Sequence, residues 1–548
     1  MGGGPAGGNG GGIQTNSLFW SVVMSAFAAF GGILFGYDTG TISGIIAMED
    51  WLKTFGTFDP TLGQYLPTSD KSLAVSILSA GTFFGALLAY PMGDRLGRKW
   101  GIIGGCIVFF LGIGLQLDTN WATFIVGRVI AGFGVGVISC LVPMYQSECA
   151  PKNIRGLIVG LYQLAITIGA LLAAIVLNST KDRQNHNAWR IPVAVQFAWG
   201  SILSIGMLML PESPRYLLLK GREEEARAAL GRLMTAPADS PQVEEECLII
   251  SDALKIEQEN ASGSYLECFK NNPSRFALRT WTGIWIQAWQ QLTGINFIFY
   301  YGTTFFQQAG ISNPFIITII CDVVNTCMTL VGLPFIDRIG RRRLLLIGAA
   351  GMSISEFIVA IVGVTAGHIQ PDGSVNLAAQ RVLIAFVCIY IAFFALSWGP
   401  IVWVVTSEVF PLSIRGEGMS LSIASNWLWN FGIGYATPYL VNPTTYGING
   451  EKAANLGVKV FFIWGGTCVG CLLFTYFFIP ETRGLSLEQI DRLYRESSIV
   501  GSVQYRGKLL AEDSTDTFET RKSHEVMHVE PKLPESPITN TTDALNAP

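Results

Sequence analysis

The sequence predicts an all-α membrane protein whose twelve transmembrane helices form two six-helix halves, with short cytoplasmic helices between them. Two observations lead to this fold class. The first is composition: half of the 548 residues are hydrophobic, 14% are charged and the mean hydropathy is +0.41. That leaves too little charge for the surface of a soluble protein of this length. The second is a set of charged motifs that occurs twice.

Twelve apolar stretches of roughly the 20 residues that a bilayer requires can be drawn along the chain. They lie near 18–47, 72–92, 100–117, 121–146, 156–178, 189–210, 280–308, 314–336, 344–366, 381–410, 416–440 and 458–479. The predicted division is a flexible tail (1–17), a first half (18–211), a linker with a helix-like stretch at Gly221–Met234 (212–279), a second half (280–480) and a polar tail (481–548) that is largely disordered after about 497.

Three charged motifs recur in the same order in both halves. Residues 93–99 (GDRLGRK) are matched by 337–343 (DRIGRRR), 148–156 (ECAPKNIRG) by 408–416 (EVFPLSIRG), and 211–215 (PESPR) by 480–484 (PETRG). One unit of roughly 200 residues was therefore duplicated. Two parallel repeats of this kind are typical of membrane transporters.

Basic residues crowd the short loops after the second, fourth and eighth spans, where Arg95, Lys152 and Arg338 lie. The positive-inside rule places these loops and both termini in the cytoplasm, and we expect a multi-pass protein of the plasma membrane. The net charge of −4 is small and spread out, which makes nucleic acid an improbable partner.

Two opposite charges fall inside predicted spans at the same depth. Asp38 lies about 10 residues from the outer end of the first span and Arg128 about 8 from that of the fourth, or roughly 15 and 12 Å. Each charge is costly in a bilayer and needs a partner or a role. Two interpretations stay open: a structural ion pair, or a proton-coupling site in which Asp38 alternates between protonated and paired states.

Uncharged amides form a second group at mid-membrane depth. They are Gln163, Gln290, Gln291, Asn325, Asn426 and Asn430. Each amide both donates and accepts, as a sugar hydroxyl does, so the group favours a site for a polyhydroxyl ligand over simple helix-to-helix hydrogen bonds. Gln287, Gln290 and Gln291 also share one helical face, so these glutamines are expected to point together into a cavity. Helix seven is expected to break near Gly294, which leaves Asn296 unplaced.

Trp403 follows Gly399-Pro400, which is expected to bend the tenth span. The bend either tips the ring towards the ligand or leaves an interfacial tryptophan.

No cofactor or metal is expected, because the ten cysteines show no zinc spacing or disulfide framework. No nucleophile or phosphate loop is visible in the short soluble segments, so an enzyme is not expected.

The motifs resemble those of the sugar porter branch of the major facilitator superfamily, and within it the fungal hexose transporters. The resemblance runs from about 18 to 492 and includes 94–99, 211–215, 480–484 and the segment QQLTGIN at 290–296 followed by Tyr300 and Tyr301. It implies a major facilitator fold and transport of a monosaccharide, chiefly glucose and related hexoses, by alternating access. Coupling to a proton stays open, because proton symporters and proton-independent carriers of the family look alike at Asp38.

The resemblance also implies residue roles. The sugar site would comprise Gln163, Gln290, Gln291, Asn296, Asn325, Trp403 and Asn426, with Asn430 adjacent. A cytoplasmic gate of salt bridges would comprise Asp94, Arg98, Glu148, Arg155, Asp337, Arg341, Arg342, Glu408 and Arg415. The oligomeric state is not implied.

A non-transporting glucose sensor of the same fold is the competing class. The tail after Gly484 is only about 64 residues long and shows no repeated signalling motif, which favours a carrier. Two positions depart from the family pattern: Ala395 replaces a glutamate of some animal members, and Asp322 is an acid that many relatives lack. Glu356 in the ninth span has no obvious partner.

Overall fold

The computed structural model confirms the predicted all-α membrane fold. It describes residues 22–24, 26–60, 63–150, 155–258, 264–308, 313–366, 376–441, 454–485 and 487–511. The predicted tail at 1–17 and the part of the polar tail after 511 therefore lie outside the described residues.

From residue 31 onward, the described part of the first half includes seven helices and one small sheet. They are α1 (Gly31–Ile45), α2 (Glu49–Phe55), β1 (Thr57–Asp59), β2 (Gly63–Tyr65), α3 (Thr68–Leu96), α4 (Arg98–Gln116), α5 (Trp121–Cys149), α6 (Arg155–Thr180) and α7 (Asn187–Met209). The strands β1 and β2 form an antiparallel hairpin with Thr57 opposite Tyr65.

The linker contains α8 (Pro214–Leu219), α9 (Glu223–Met234), α10 (Pro241–Gln258) and a 3-10 turn at Tyr265–Phe269. The second half contains α11 (Phe276–Leu292), α12 (Ile295–Gln308), α13 (Pro314–Ile339), α14 (Arg341–Thr365), α15 (Leu377–Leu396), α16 (Trp398–Val409), α17 (Arg415–Val441) and α18 (Val460–Phe478). Two helices follow it, α19 (Leu487–Glu496) and α20 (502–511).

Among the described residues, ten helical segments are long and apolar enough to cross a membrane. The other two predicted spans are present but differ in kind. The seventh is split into α11 and α12 at Gly294, whose φ of +81° favours glycine. The eleventh, α17, is a 27-residue helix that carries Asn426, Asn430 and several serines, so its hydropathy is low.

The tenth span breaks two residues earlier than expected. The residue between α15 and α16 is Ser397, and Gly399-Pro400 lies in the first turn of α16. A proline ring clashes with the carbonyl of the residue four positions before it. For Pro400 that residue is Leu396, the last of α15, so the break lies where the clash would otherwise occur.

Helix packing repeats between the halves, as duplication requires. In the first half α3 packs on α5 and α1 on α6, and in the second half α13 packs on α15 and α11 on α17. The halves meet along α3 with α17 and along α6 with α13. The interior between the halves is therefore lined by α1, α6, α11–α13 and α17.

Glycines set the close approach of α3 and α5. Gly81 and Gly85 on α3 face Gly132 and Gly136 on α5, and a Cβ added at Gly132 would lie 2.1 Å from the carbonyl oxygen of Leu78. Small residues four apart on both helices are a common membrane packing motif. The backbones touch here without intervening side chains.

We expect Gly132→Val to destabilise the protein severely, because α3 and α5 must separate to admit the side chain. Overpacking typically costs about 1–3 kcal/mol or more. The measurement is the melting temperature of detergent-solubilised protein, followed by size-exclusion chromatography after heating. Gly114→Val is the matched control, since a Cβ there meets nothing within 4 Å. Equal melting temperatures for the two variants would contradict the packing argument.

Candidate functional site

A cavity lies between the two halves at mid-depth of the bundle. It encloses about 870 Å³ of atom-free space, including the part open to solvent. Seven of the eight residues predicted for the sugar site line it: Gln163, Gln290, Gln291, Asn296, Asn325, Trp403 and Asn426. These seven residues come from six helices: α6, α11, α12, α13, α16 and α17.

An amide network forms one wall of the cavity. Gln291 Nε2 donates to Asn426 Oδ1 at 2.9 Å, and Asn426 Nδ2 donates to Gln290 Oε1 at 2.8 Å. Gln291 Oε1 accepts from the side chains of Asn296 and Asn430. Each side chain fixes the rotamer of the next, so the cavity presents donors and acceptors at defined positions.

Two predicted amides are placed differently from the rest. Asn430 lies behind the cavity wall, where its Oδ1 accepts from Ser79 Oγ at 2.6 Å and Tyr300 Oη at 2.8 Å. Gln287, expected to point into the cavity with its neighbours, instead donates to Thr406 Oγ1 at 3.0 Å. The helical face was predicted correctly, but these two side chains support the wall from behind.

Asn325 lines the opposite wall with an unsatisfied acceptor. Its side chain is 2% exposed, and its Oδ1 has no hydrogen-bond partner in the described part of the chain. A buried amide oxygen without a partner is costly. A ligand hydroxyl at this position would satisfy it.

Trp403 closes the cavity on one side. Its indole Nε1 donates to Gln163 Oε1 at 3.1 Å, and its ring meets Tyr162 edge-on at a centroid distance of 5.3 Å. These contacts join the two halves. Of the two interpretations of Trp403, the structure places it at the cavity rather than at the membrane interface, because it is 3% exposed.

Asp38 and Arg128 meet inside the first half. Arg128 Nη1 lies 3.2 Å from Asp38 Oδ1, and both side chains are almost fully buried. Arg128 Nε also donates to the carbonyl oxygen of Ala74 on α3. Neither residue lines the cavity, although Thr39, next to Asp38, does.

The charged motifs meet at one end of the bundle. We call it the hairpin end, because the tight turns at Gly97, between α3 and α4, and at Gly340, between α13 and α14, lie there. Arg98 forms a salt bridge with Glu148 at 2.9 Å, and in the second half Arg341 forms one with Glu408 at 2.8 Å. Arg341 also pairs with Asp337 at 2.9 Å. The two halves thus carry the same buried charge pair at equivalent positions.

The PES and PET motifs complete these clusters, which the sequence analysis did not anticipate. Glu212 accepts from the backbone N–H of Arg98 and Lys99, and Glu481 accepts from those of Arg341 and Arg342. Each carboxylate therefore caps the free N–H groups at the start of a helix, α4 or α14. The sequence signal for this capping role was the repetition of Pro-Glu-Ser and Pro-Glu-Thr at equivalent positions of the two halves.

Other predicted gate residues make different contacts. Asp94 pairs with Lys220 of the linker at 3.3 Å, at an exposed position. Arg342 donates to backbone carbonyls, among them Tyr476 at 2.6 Å, and Arg415 donates to that of Phe410. The side chain of Arg155 lies outside the described residues.

The halves touch at the hairpin end. A Cβ added at Gly156 in the first half would lie 2.8 Å from Arg341 Nη2 and 3.0 Å from Asp337 Oδ1 in the second. A Cβ at Gly416 would lie 2.3 Å from the Tyr90 ring. In the linker, Tyr265 Oη donates to the carbonyl of Leu87 at 2.6 Å and lies 3.2 Å from Ser420 Oγ. The cavity is therefore closed towards this end.

Comparison with known proteins agrees with this architecture. Residues 24–494 match the family model described as "Sugar (and other) transporter". The chain belongs to the sugar transporter family. This finding confirms the resemblance seen in the motifs, and it covers both halves and the linker.

Three fungal relatives illustrate the similarity. The chain is 50% identical over 87% of its length to the major facilitator-type transporter ecdD of Aspergillus rugulosus, covering 87% of that protein. It is 45% identical over 86% of its length to the probable glucose transporter rco-3 of Neurospora crassa, covering 79% of it. It is 42% identical over 89% of its length to the high glucose sensor RGT2 of Saccharomyces cerevisiae, covering 63% of it.

Among solved structures, the chain is similar to the proton:xylose symporter XylE of E. coli bound to 6-bromo-6-deoxy-D-glucose. The TM-score is 0.73 at 27% sequence identity, covering 88% of this chain and all of XylE. The two-half bundle is therefore shared with a sugar symporter of known structure.

Proposed function

We propose that this protein transports glucose and related hexoses across the plasma membrane by alternating access. The observation that carries the proposal is the cavity between the halves, whose amides come from both. It is sealed towards the hairpin end by the Gln163–Trp403 contact, while its lining extends through Gly44, Leu177 and Phe315 towards the other end. By the positive-inside rule the hairpin end is cytoplasmic, so the structure corresponds to an outward-facing state.

The amides suit a neutral sugar. A hydroxyl needs one donor and one acceptor, and the network offers both from fixed side chains. Similarity to the probable glucose transporter rco-3 and to the proton:xylose symporter XylE supports a monosaccharide. Rocking of the halves would break the contacts at Gly156 and Gly416 and open the cavity inward.

The test is uptake of labelled hexoses by cells that lack their own hexose carriers. We expect saturable glucose uptake, with competition by related hexoses. Cells that express the protein at their surface but accumulate no labelled hexose above the empty-vector background would contradict the proposal.

We further propose proton coupling through Asp38 and Arg128. An ion pair buried in the bilayer can open when Asp38 takes up a proton, which links proton entry to movement of α1 against α5. Proton-independent carriage is the alternative. The similarity to a proton:xylose symporter supports coupling.

We expect glucose to cause alkalinisation of a weakly buffered medium around cells that express the protein. Asp38→Asn should abolish this proton uptake yet retain exchange of labelled for unlabelled glucose, because the sugar site is untouched. The control is Asp118→Asn, an exposed carboxylate between α4 and α5. Proton uptake that survives in Asp38→Asn, or uptake of sugar without any pH change, would contradict coupling at this pair.

A glucose sensor is the second candidate, favoured by the 42% identity to RGT2. Deletion of the tail separates the two. The deletion must begin after Ala511, because Ser502 accepts from the backbone N–H of Glu481 and Arg506 contacts the carbonyl of Arg483. A carrier should keep its uptake after this deletion, whereas a sensor should lose its glucose-dependent transcriptional output.

A further inference from the structure

Asp322 is an acid in the wall of the proposed sugar cavity. On α13 the cavity is lined by Phe315, Thr318, Asp322 and Asn325, which share one helical face. Asp322 lies eight residues below Pro314, or roughly 12 Å from that end of the helix. A ligand that enters from outside therefore passes Asp322 before it reaches Asn325.

The carboxyl group is buried and unsatisfied. Asp322 is 3% exposed, and its Oδ1 has no hydrogen-bond partner among the described residues. The other residues that line the cavity are amides, hydroxyls, glycines and apolar side chains, without a lysine, arginine or histidine. Nothing in the wall itself would neutralise an ionised carboxylate.

The helices packed on α13 also bring no cation to Asp322 within the described structure. These are α6, α12, α14, α15 and α16. Arg341 pairs with Glu408, and Arg342 donates to the carbonyl of Tyr476. The hydroxyls of Tyr300, Tyr301 and Tyr390 donate to Asn430, Gly434 and Thr293. The Tyr162 hydroxyl and the Glu356 carboxylate have no hydrogen-bond partner among the described residues, and Cys388 lies beside Cys321, but none of these groups is a cation. Arg343 lies at the hairpin end of α14 and Arg381 near the opposite end of α15.

A lysine on the outer side of Asp322 is engaged with an aromatic ring. Lys181 follows α6, and its Nζ lies 4.9 Å from the ring centroid of Phe315. Phe315 is two helical turns from Asp322, so Lys181 does not neutralise the carboxylate directly. An ionised carboxylate without a partner is expensive inside a membrane protein.

We propose that Asp322 is a proton-binding site inside the sugar cavity, and that its neutral carboxylic acid donates a hydrogen bond to the bound sugar. The carboxylate takes one proton from the outer water and becomes an O–H donor that retains a carbonyl acceptor, the same pair of functions that an amide offers. This inference rests on the proposed sugar site, but it is separate from the Asp38–Arg128 pair.

The sign of the pH effect follows from linkage. Sugar binds the protonated form, so affinity is full at low pH and falls as the pH rises through the range where Asp322 loses its proton. Asparagine at this position is neutral at every pH and keeps a donor and an acceptor. Asp322→Asn should therefore keep the low-pH affinity at high pH.

The experiment is a glucose titration of purified protein by tryptophan fluorescence, since Trp403 lines the site. For the unchanged chain we expect the dissociation constant for glucose to rise at least about fivefold between about pH 6 and about pH 8.5. Asp322→Asn should change less than about twofold over the same range. Both are repeated in an Asp38→Asn background to remove any contribution of the ion pair, and Asp118→Asn should behave as the unchanged chain.

Each outcome is decisive. Equal pH profiles for the unchanged chain and Asp322→Asn overturn the inference, whether both are flat or both slope. A second titration uses glucosamine, a cationic sugar. If the affinity of the unchanged chain for glucose does not vary with pH and Asp322→Asn loses glucosamine binding, the carboxylate would be assigned to a cationic sugar and the inference would be overturned. Absence of glucose binding in every variant, including Asp118→Asn, overturns the proposed function instead.

Discussion

Gln291→Ala is expected to reduce glucose uptake at least about tenfold. Gln291 lines the cavity and joins Asn296, Asn426 and Asn430 through both ends of its amide. Its removal deletes one proposed sugar contact and leaves three neighbouring amides short of a partner. A hydrogen bond contributes about 1 kcal/mol and an unsatisfied buried group costs about 1–3 kcal/mol, and 1.4 kcal/mol is a factor of ten.

The measurement is the initial rate of labelled glucose uptake, normalised to surface protein. Gln116→Ala is the matched control. Gln116 is also a buried glutamine within a membrane helix. Among the described residues its Nε2 reaches only the carbonyls of Gly112 and Gly127, and it does not line the cavity. Uptake reduced equally in both variants would mean that the effect is structural, and unchanged uptake in Gln291→Ala would remove the amide network from the sugar site.

Arg341→Ala is expected to open the hairpin end. Arg341 pairs with Glu408 and Asp337, and its guanidinium lies against Gly156 of the other half. Removal of one partner from a buried pair costs about 3–5 kcal/mol because the remaining charge is uncompensated. If half of that free-energy cost destabilises only the state in which the hairpin end is closed, the population of the open state rises more than about tenfold.

The reporter is a cysteine at position 90, which lies at the seam against Gly416. In detergent-purified protein, we expect a bulky maleimide to label Tyr90→Cys at least about tenfold faster when Arg341→Ala is also present. The chain without the reporter corrects for the native cysteines. Arg222→Ala is the control, because the Arg222–Glu225 pair is exposed and surface pairs contribute little. Labelling rates that do not differ between Arg341→Ala and Arg222→Ala would contradict a gating role.

The sequence was sufficient for the fold because length and hydropathy decide where a chain crosses a bilayer. The bounds of α5, predicted near 121–146 and found at Trp121–Cys149, differ by only three residues. The break at Gly294 was also predictable, since a glycine follows a polar run there. The break at Ser397 was not, because Pro400 acts on the residue four positions earlier and the sequence pointed to Gly399-Pro400 itself.

The site was predictable as a set but not in its geometry. Depth along each helix grouped Gln163, Asn325 and Asn426, and the family resemblance added Asn296. Side-chain direction could not be derived, because helix rotation depends on packing against neighbours. For that reason Gln287 was expected in the cavity although it lies behind the wall.

The gate was predicted less completely. The family resemblance implied salt bridges among residues that include Arg98 and Glu148, which do form a pair. The capping role of Glu212 was missed because it depends on a linker segment that returns to the start of α4. Spacing along the chain does not reveal such a return. The same limit applies to Asp94, whose partner Lys220 belongs to the linker.

The central claim is that the amide-lined cavity carries a hexose between the two sides of the membrane. Counterflow in liposomes tests it most directly, with purified protein, a load of unlabelled glucose inside and a trace of labelled glucose outside. The account predicts transient accumulation of label that unlabelled hexose suppresses, that persists in Gln116→Ala and that is lost in Gln291→Ala. Folded, reconstituted protein that accumulates no more label than empty liposomes would contradict it.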